Sequence, residues 1–445
     1  MPDAPTGLLT DHYELTMLTA ARRAGNADTP CVFEVFGRRL PAGRRYGVVA
    51  GTARVLEAIA DFRFPADSLE WLVARGAVDD DTAAWLADYR FTGDVEGYPE
   101  GELYFPDSPL LTVRGGFGEA VVLETVLLSV LNHDVAVASA AARMTRAAGD
   151  RPVIEMGGRR THERAAVAAA RAAYLAGFAT TSNLEAGRRY GVPTGGTAAH
   201  AFTLLHASEA EAFAAQVAAG GVGTTLLVDT YDITQGIEHA VAAAGPSLGA
   251  IRIDSGDLGE LARQAREQLD ELGATSTRIV VSGDLDEYAI AGLGIAPVDV
   301  YGAGTAVVTG SGAPTAGLVY KLVEVDGRPV AKRSTAKETH AGAKTALRAH
   351  RASGTATEEV LVAGPGAAAE VDRLLESDPG LRRLQVPLLR GGAPVDPPAP
   401  AADGEVEPSL AEARVRLQDA LRTLPWEGLA LSQGDPAIPT RFVVC

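Results

Sequence analysis

The sequence contains little cysteine. Cys31 and Cys445 are the only two cysteines among 445 residues, which excludes a disulfide framework and a four-cysteine zinc site. The first residues, MPDAPTGLLTDHYELT, do not place an apolar run after a basic segment, so we expect no signal peptide. No uninterrupted run of about 18 apolar residues occurs, so we expect no membrane-spanning helix and no membrane partner.

Positive charge is also scarce. Forty lysines and arginines stand against 57 aspartates and glutamates, which gives a formal net charge of −17. This balance argues against a nucleic acid or an anionic membrane as partner, because both are bound through basic patches. It leaves room for one small anionic substrate held by a few arginines. The composition, 47 % apolar and 22 % charged, is typical of a soluble globular protein, so we expect a cytoplasmic enzyme or a binding protein.

Two catalytic signatures are absent as well. The chain has no G-x-x-x-x-G-K-[ST] loop for nucleotide phosphates and no G-x-S-x-G turn for a nucleophilic serine. The two scattered cysteines give no support to a cysteine nucleophile. The chemistry must therefore be sought in arginines, carboxylates, glycines and the eight histidines.

Residues 1–150 mix helix and strand patterns and are predicted to form an α+β domain whose last helices lead into the next domain. LTDHYELTMLTAARRAG predicts a helix with Thr10 or Asp11 as N-cap and Gly25 at its end. One alternating strand, a small antiparallel sheet and one or two buried helices are predicted, in that order, for CVFEVFGRRL, FTGDVEGYPEGELYFPDSPLLTVRGG and GEAVVLETVLLSVLNHDVAVASAAARMTRAAG.

Over residues 151–320, short apolar runs alternate with alanine-rich helical segments, which predicts parallel βα units. The runs are PVIEMGGRR, GFATTSN, TTLLVDTYD, AIRIDSGDL, RIVVSGDLDE and VDVYGAGT, and the helical segments include 162–176, 208–219 and 257–272. Polar residues follow the apolar part of each run, at the strand end where α/β barrels build active sites. A doubly wound open sheet also places ligands there. We favour a barrel, because a ring brings the ends of successive strands to one site.

The remainder of the chain is predicted to return to the first domain. Residues 321–390 begin with a hairpin that turns at Asp326-Gly327. Residues 391–408 are rich in proline, glycine and alanine and are predicted to be a flexible surface linker. Residues 409–445 are predicted to form a final helix and a tail.

The most specific chemical pattern is IRIDSGDL. If Ile251 and Ile253 face the helical layer, Arg252 and Asp254 face the barrel interior. An arginine beside an aspartate suits a substrate with an anionic group and hydroxyls, since the arginine can clamp an anion and the carboxylate can accept from ribose hydroxyls or hold a metal. A buried structural ion pair is the alternative.

Phosphate binding is indicated at two further strand ends. Gly302, Gly304 and Thr305 form a glycine-rich turn whose backbone N–H groups could cradle a phosphate, with a tight turn as the alternative. Arg159 and Arg160 follow another strand and could hold phosphate, or they could be solvated surface arginines. Carboxylates such as Asp229 and Asp254 suggest Mg²⁺ with a phosphorylated substrate. Asp284 or Asp286 is more simply explained as a helix cap.

His200 stands alone in GTAAHAF (196–202), away from any metal-ligand spacing. Its small neighbours leave space for a phosphate, and a neutral imidazole can attack phosphorus. A lone histidine is also commonly a structural residue with satisfied hydrogen bonds. The residues alone leave both interpretations open.

Taken in order, these motifs resemble those of the nicotinate phosphoribosyltransferase family. The resemblance extends to about residue 350 and rests on LLTDHYELTM, EVFGRRLPAGRRYGVVAG, EMGGRR, GFATTSN, GTAAHAF, LLVDTYD, IRIDSGDL, SGDLDEYAI, YGAGTAVVTG and LVYKL. It implies an irregular α/β barrel of the type II phosphoribosyltransferase kind, with a smaller α+β N-terminal domain. It also implies a homodimer with a shared active site. The reaction implied is displacement of pyrophosphate from phosphoribosyl pyrophosphate by nicotinate, with Mg²⁺ as cofactor and ATP as co-substrate.

The resemblance also implies roles for the candidate residues. Tyr13 would lie against the pyridine ring, and Thr197 and Arg252 would contact nicotinate. Asp254 would accept from the ribose hydroxyls, and His200 would be phosphorylated by ATP, which makes His200, Arg252 and Asp254 the expected catalytic residues. Phosphates would be held by Arg159 or Arg160 and by Gly302, Gly304 and Thr305. Gly158 and Ala179 depart from the family pattern near the two arginines.

Three other functions are compatible with parts of the sequence. A related phosphoribosyltransferase could accept nicotinamide or quinolinate. A barrel lyase could use the same phosphate site, although the Schiff-base lysine of such enzymes is missing from all six strand runs. A non-catalytic binding protein could retain the site without turnover.

Overall fold

The computed structural model describes residues 5–332, 340–396 and 405–445. Its α-helices are α1 (His12–Arg23), α2 (Thr52–Ala60), α3 (Ala66–Ala74), α4 (Asp80–Ala87), α5 (Phe117–Val121), α6 (Glu124–Ala148), α7 (Glu163–Leu175), α8 (Leu184–Tyr190), α9 (His200–Leu205), α10 (Glu209–Gly220), α11 (Ile233–Ala244), α12 (Leu258–Glu271), α13 (Glu287–Gly292), α14 (Thr305–Val308), α15 (Ala367–Ser377) and α16 (Pro408–Thr423).

The strands are β1 (Pro30–Gly37), β2 (Gly47–Val48), β3 (Asp94–Gly97), β4 (Leu103–Tyr104), β5 (Leu111–Gly116), β6 (Val153–Glu155), β7 (Thr180–Thr181), β8 (Thr225–Leu227), β9 (Ala250–Ile253), β10 (Arg278–Ser282), β11 (Val300–Ala303), β12 (Leu318–Val325), β13 (Arg328–Pro329), β14 (Lys344–His350), β15 (Ala356–Ala363), β16 (Leu381–Arg383), β17 (Val386–Arg390), β18 (Ala393–Pro394) and β19 (Thr440–Val444).

Local signals place several of these elements where the sequence predicts them. Asp11 caps α1 by accepting from the backbone N–H of Tyr13, and Gly25 follows the helix with a φ of 75°. The β12–β13 hairpin turns at Asp326 and Gly327, whose φ angles are 47° and 71°, as expected for a two-residue turn with both central residues left-handed.

One compact unit combines the described residues of Met1–Ala136, Thr315–Pro400 and Pro408–Cys445. Its larger sheet has seven strands in the order β13-β12-β1-β5-β3-β17-β18, and a second sheet has the order β16-β14-β15-β19. Strands from the C-terminal third thus pair with strands from the N-terminal third, as β12 does with β1. The N-terminal part alone is shorter than the barrel unit, but the returning segments make the assembled unit the longer of the two.

The segment 391–408, predicted to be a flexible linker, begins as regular structure. Leu389 pairs with Pro394 and Arg390 with Ala393, so β17 and β18 form a hairpin through the glycines between them. For residues 391–394 the composition misled the prediction, because proline is tolerated on an edge strand. Residues 397–404 lie outside the described residues. The predicted final helix is α16.

Phe117–Ala148 is the one stretch of the described chain that is long and apolar enough to cross a membrane by length and composition. Of its apolar window, 61 % is buried inside the structure, and Leu123, Leu127 and Leu131 have no exposed surface. Such burial is typical of a core helix in a soluble protein.

The second compact unit comprises Val137–Pro314 and the described residues of Ala401–Glu407. Its sheet is parallel throughout, with six strands in the order β7-β6-β11-β10-β9-β8. Each strand lies in one of the six predicted apolar runs, and helices alternate with them. The sheet curls into a half-barrel whose edge strands β7 and β8 are not paired with each other in the described residues. The predicted α/β class is confirmed, in the form of an incomplete barrel.

Candidate active site

Arg252 is the centre of a hydrogen-bonded cluster at the C-terminal end of the parallel sheet. On β9 the isoleucines on either side of it are fully buried, whereas the arginine side chain retains 12 % of its surface exposed, as the alternation along a strand predicts. Its Nε donates to Ser282 Oγ (2.7 Å), its Nη1 to Thr197 Oγ1 (3.0 Å) and its Nη2 to Asp254 Oδ1 (2.6 Å). Three separate segments of the barrel unit therefore fix the guanidinium.

Asp254 shares one oxygen between two donors. Oδ1 accepts from Arg252 and from the Ser282 hydroxyl. Burial opposes ionisation, but these hydrogen bonds and the electrostatic influence of Arg252 and His200 lower the pKa of Asp254 below its ordinary value. The second carboxylate oxygen accepts no hydrogen bond from the described residues. The carboxylate is therefore ionised at neutral pH and has one oxygen available to a ligand.

Asp229, just beyond β8, supports the same strand end from the other side. Its Oδ2 accepts from the backbone N–H of Asp254 (2.8 Å) and from Ser255 Oγ (2.9 Å). Its Oδ1 is buried and has no hydrogen-bond partner among the described residues. Buried polar atoms without a partner are uncommon, so this oxygen is a candidate for contact with a ligand or an ion.

The GTAAHAF segment brings Thr197 and His200 to this cluster. Thr197 accepts from Arg252, while His200 is the first residue of the short helix α9. The Nδ1 atom of His200 lies 3.1 Å from the hydroxyl of Thr230, next to Asp229 in the chain. Nε2 makes no hydrogen bond with a described residue. His200 therefore faces the carboxylate cluster and keeps one ring nitrogen for another partner.

The glycine turn after β11 lies beside this cluster in the sheet. Gly302 pairs with Ser282, and a Cβ at Gly302 would come within 2.9 Å of Met156 Sδ and 3.0 Å of Ser282 Cβ, so a larger residue would require Met156 to move. Gly304 precedes α14 with φ −120° and ψ −99°, and Thr305 is exposed at the first turn. The residues predicted to cradle phosphate are thus at the same sheet edge as Arg252.

Arg159 and Arg160 lie in the turn that follows β6. The N–H of Arg160 donates to the carbonyl of Gly157 (2.8 Å), and both arginine side chains are exposed. Within the described chain, neither guanidinium has a hydrogen-bond or ion-pair partner. A Cβ built on Gly158 would approach only Asn183 Nδ2, at 3.9 Å. A larger side chain would therefore fit at this position, and the glycine leaves empty space beside the two arginines.

Tyr13 belongs to the other compact unit, on α1. The residue is 44 % exposed. Partial burial, followed by the charge of Glu124 and a hydrogen bond with it, raises the pKa of the Tyr13 phenol above its ordinary value. An exposed aromatic ring of this kind is available to a partner, but its predicted contact with a pyridine ring stays a prediction.

Other acidic residues near the strand ends serve as helix caps. Asp232 accepts from Gln235 N at 2.9 Å and begins α11, and Asp286 accepts from Tyr288 N and Ala289 N at the start of α13. Among the described residues no group of three or more histidines, cysteines and carboxylates could hold a metal ion. Asp229 and Asp254 remain a pair of oxygen donors, which suffices only for an ion that brings further ligands with its substrate.

Sequence reasoning left two hydroxyls without a role. Ser282 connects Arg252 to Asp254, and Thr230 orients His200. Ser282 is the first polar residue after an apolar strand run and Thr230 is the second, so position at a strand end was the available signal. Their side chains are common in turns, which is why the pattern does not distinguish them from capping residues.

Comparisons of the sequence and of the fold with known proteins point to the same family. The family model for the nicotinate phosphoribosyltransferase N-terminal domain matches residues 8–132. The solved structure of human nicotinic acid phosphoribosyltransferase superposes with a TM-score of 0.79 at 27 % identity, covering 98 % of this chain and 97 % of that one. A nicotinate-nucleotide pyrophosphorylase from Pyrococcus furiosus shares the fold, with a TM-score of 0.76 at 24 % identity over 94 % of this chain and 96 % of its own.

Curated relatives extend the similarity over the full sequence. Nicotinate phosphoribosyltransferase pncB1 of Mycobacterium tuberculosis is 62 % identical over 449 residues, covering 99 % of this chain and 96 % of its own length. Nicotinate phosphoribosyltransferase of Bacillus subtilis is 37 % identical over 74 % of this chain and 69 % of its own length. The human enzyme of the same name is 33 % identical over 77 % of this chain and 76 % of its own length.

Proposed function

Because the chain belongs to the nicotinate phosphoribosyltransferase family, we propose that it transfers the phosphoribosyl group of phosphoribosyl pyrophosphate to nicotinate. The products are nicotinate mononucleotide, a precursor of NAD, and pyrophosphate. The observation that carries the proposal is the Arg252 cluster at the barrel mouth, which combines a fixed guanidinium, an ionised carboxylate and a glycine turn. These are the groups that a carboxylate, a ribose and a phosphate require.

The hydrogen-bond count at Arg252 supports an anionic acid as the acceptor substrate. A guanidinium has five N–H groups, and three are used by Ser282, Thr197 and Asp254. One N–H remains on each terminal nitrogen, a pair that suits the two oxygens of a carboxylate. The amide of nicotinamide offers one oxygen and turns an N–H₂ group toward the cation. Nicotinate is therefore the better partner for this arginine.

The remaining groups suit the phosphoribosyl substrate. The second oxygen of Asp254 would accept from the ribose hydroxyls, and the turn of Gly302, Gly304 and Thr305 would hold the 5′-phosphate. Arg159 or Arg160, both exposed and without described partners, would bind the pyrophosphate. In the reaction the pyridine nitrogen forms a bond to C1′ as the bond from C1′ to the pyrophosphate oxygen breaks, and pyrophosphate leaves with the electron pair.

Asp229 and Asp254 would hold Mg²⁺ together with substrate phosphates. The unpaired, buried Oδ1 of Asp229 fits such an ion, and magnesium is commonly bound by one or two carboxylates plus phosphate oxygens. The ion would neutralise charge on the departing pyrophosphate. Arg252 and Ser282 would keep the Asp254 carboxylate oriented throughout.

His200 would couple the reaction to ATP. With Nδ1 at the Thr230 hydroxyl, Nε2 could attack the γ-phosphorus of ATP. A P–N bond would form as the bond to the ADP oxygen breaks, and water would later cleave the phosphohistidine. The charge of a phosphoryl group beside Arg252 and Asp254 would alter substrate binding rather than the bond-making step.

We further propose that the protein is a cytoplasmic homodimer. A net charge of −17 and the burial of the apolar helix stretch support a cytoplasmic protein without nucleic-acid or membrane partners. A homodimer that shares its active sites would bring an exposed Tyr13 to a partner's substrate.

The test is turnover by the purified protein. With phosphoribosyl pyrophosphate and Mg²⁺, it should convert nicotinate to nicotinate mononucleotide, and ATP should increase the rate. Turnover of nicotinamide or quinolinate without turnover of nicotinate would contradict the substrate. Incubation with γ-labelled ATP should leave acid-labile, base-stable phosphate on His200. His200→Asn should lose both the label and the ATP stimulation, while a variant that keeps the stimulation would refute the phosphohistidine.

A further inference from the structure

Glu155 is a buried carboxylate that the proposed reaction does not use. It is the last residue of β6, 1 % exposed, and no cation faces it in the described chain. Burial raises its pKa, and two hydrogen bonds oppose that rise. Oε2 accepts from Thr181 Oγ1 (2.5 Å), and Oε1 accepts from the backbone N–H of Gly157. Burying a carboxylate without a cation costs folding free energy. The two hydrogen bonds offset part of that cost.

Each contact anchors a different loop at the barrel mouth. Gly157 begins the turn Gly157–Arg160, which we call the arginine turn and which carries the two exposed arginines. Thr181 ends β7, and its hydroxyl accepts from the N–H of Asn183 (3.0 Å), the residue that caps α8. A single carboxylate therefore joins the arginine turn to the loop of the neighbouring strand.

The arginine turn is also packed on the glycine turn after β11. The N–H of Met156 donates to the carbonyl of Ala303 (2.7 Å). A Cβ at Gly157 would meet the carbonyl oxygen of Gly304 at 2.8 Å and Val308 Cγ1 at 2.3 Å, so the two turns touch with no space for a side chain. Any displacement of Gly157 would change the separation between the arginine turn and the glycine turn.

We infer that Glu155 is a positioning residue that holds the arginine turn and the glycine turn at the separation required to bind both ends of phosphoribosyl pyrophosphate. This inference rests on the proposed function, since it takes the two turns as the sites of the pyrophosphate and the 5′-phosphate. It assigns no bond-making role to Glu155. It separates the phosphate sites from the nicotinate site, which depends on Arg252 and Thr197.

Substitutions at the Glu155–Thr181 hydrogen bond provide the test. Glu155→Gln replaces one acceptor with a donor, and Thr181→Val removes the hydroxyl while keeping the shape. Each should raise the KM for phosphoribosyl pyrophosphate about tenfold, as expected when a hydrogen bond to a carboxylate is lost, with the KM for nicotinate changed less than about twofold. Calorimetric titration with phosphoribosyl pyrophosphate alone should show the same loss of affinity. Thr181→Ser, which restores the hydroxyl, should recover most of it.

A matched control is Thr145→Val, which removes another threonine hydroxyl from the barrel unit, one that donates to Ala176 O at 3.0 Å. It should leave both KM values unchanged. Equal losses for both substrates, or unaltered phosphoribosyl pyrophosphate affinity in Thr181→Val, would overturn the inference. A wild-type protein that neither binds nor turns over phosphoribosyl pyrophosphate would instead overturn the proposed function. If Glu155→Gln does not fold, the Thr181 pair decides the question.

Discussion

Two arginine–carboxylate clusters in the molecule use the same chemistry in opposite surroundings. In the barrel unit, Arg252 pairs with Asp254 and retains 12 % of its side-chain surface exposed. In the other unit, Arg348 on β14 is completely buried. Its Nη1 donates to Glu102 Oε1 (2.6 Å) and its Nη2 to Glu359 Oε2 (2.7 Å) and to Leu103 O (2.8 Å).

We call the buried group around Arg348 the closed cluster, because its guanidinium has no exposed surface, and the group around Arg252 the open cluster. Burial opposes the charge of Arg348, but the carboxylates of Glu359 and Glu102 raise its pKa above the ordinary value. Glu359 also accepts from Tyr98 (2.7 Å) and from Ser108. Glu102 also pairs with Arg382, whose side chain is 43 % exposed. The Arg348 guanidinium itself has no exposed surface, so no substrate can reach it. Each guanidinium uses three N–H groups, and the Nε–H of Arg348 has no hydrogen-bond partner among the described residues, so unused N–H groups do not distinguish the two clusters. The comparison shows that an ion pair marks a binding site only when solvent can reach it.

The largest expected effect concerns the buried cluster. Arg348→Met should lower the free energy of unfolding by about 3–5 kcal/mol, because it leaves Glu359 buried without a cation and Glu102 with only the partly exposed Arg382. Urea denaturation would measure this loss. The activity of the remaining folded molecules should be unchanged. The control is Arg441→Met, since Arg441 is 47 % exposed beside Glu358 and should contribute less than about 1 kcal/mol. A loss of similar size at both positions would contradict the comparison.

Arg252→Gln should reduce activity strongly and stability little, the reverse of the effects expected for Arg348→Met. It should lower kcat/KM for nicotinate by about 10²- to 10³-fold, the range seen when a fixed charged donor is removed from an active site. The free energy of unfolding should change by no more than about 1 kcal/mol. Steady-state kinetics measure the change in kcat/KM, and urea denaturation measures the change in the free energy of unfolding. Arg263→Gln, at an exposed ion pair of the same unit, should leave the kinetics within about twofold of wild type. A stability loss without a kinetic effect would make Arg252 a structural residue.

The sequence predicts the open cluster far better than the closed one. Arg252 lies within a short apolar run, Asp254 and Asp229 each follow one, and parallel strands end at one edge of the sheet. Strand order need not be known for that inference. The closed cluster joins Glu102 to Arg348 and Glu359 across more than 200 residues of chain. Nothing local marks those residues, because charged side chains in alternating strands are usually on the solvent face.

The sequence also does not predict the hydrogen bonds within the site. Ser282 and Thr230 are placed by the register of neighbouring strands, which the apolar pattern does not specify. Residues 391–394, the start of the predicted linker, show the reverse error, since a composition typical of linkers forms a hairpin there with β17. Local composition predicts the strands and their polar ends, whereas long-range pairing decides which polar residues meet.

A smaller effect is expected at Ser282, which is hydrogen-bonded to both Arg252 and Asp254 of the open cluster. Ser282→Ala should raise the KM for nicotinate about 3- to 10-fold, the consequence of losing a hydrogen bond with a net contribution of about 1 kcal/mol. The kcat should fall less, because the substitution removes a hydroxyl that orients Arg252 but keeps the guanidinium itself. Kinetics with varied nicotinate measure the effect. A fall in kcat with an unchanged KM would place Ser282 in the chemical step.

The smallest effect is a pH dependence of stability at Asp254. The pKa of this carboxyl is lowered below its ordinary value of 3.8, so the unfolded chain takes up its proton first as the pH falls. The ionised cluster therefore stabilises the fold fully above about pH 4, and this contribution is lost as the pH falls through the lower, folded-state pKa. The difference in unfolding free energy between wild type and Asp254→Asn should be constant from about pH 7 to pH 5 and shrink below about pH 4. Urea denaturation at each pH measures it. A difference that stays constant to about pH 3 would show that the Asp254 charge does not stabilise the open cluster, and that its arginine is held by hydroxyls alone.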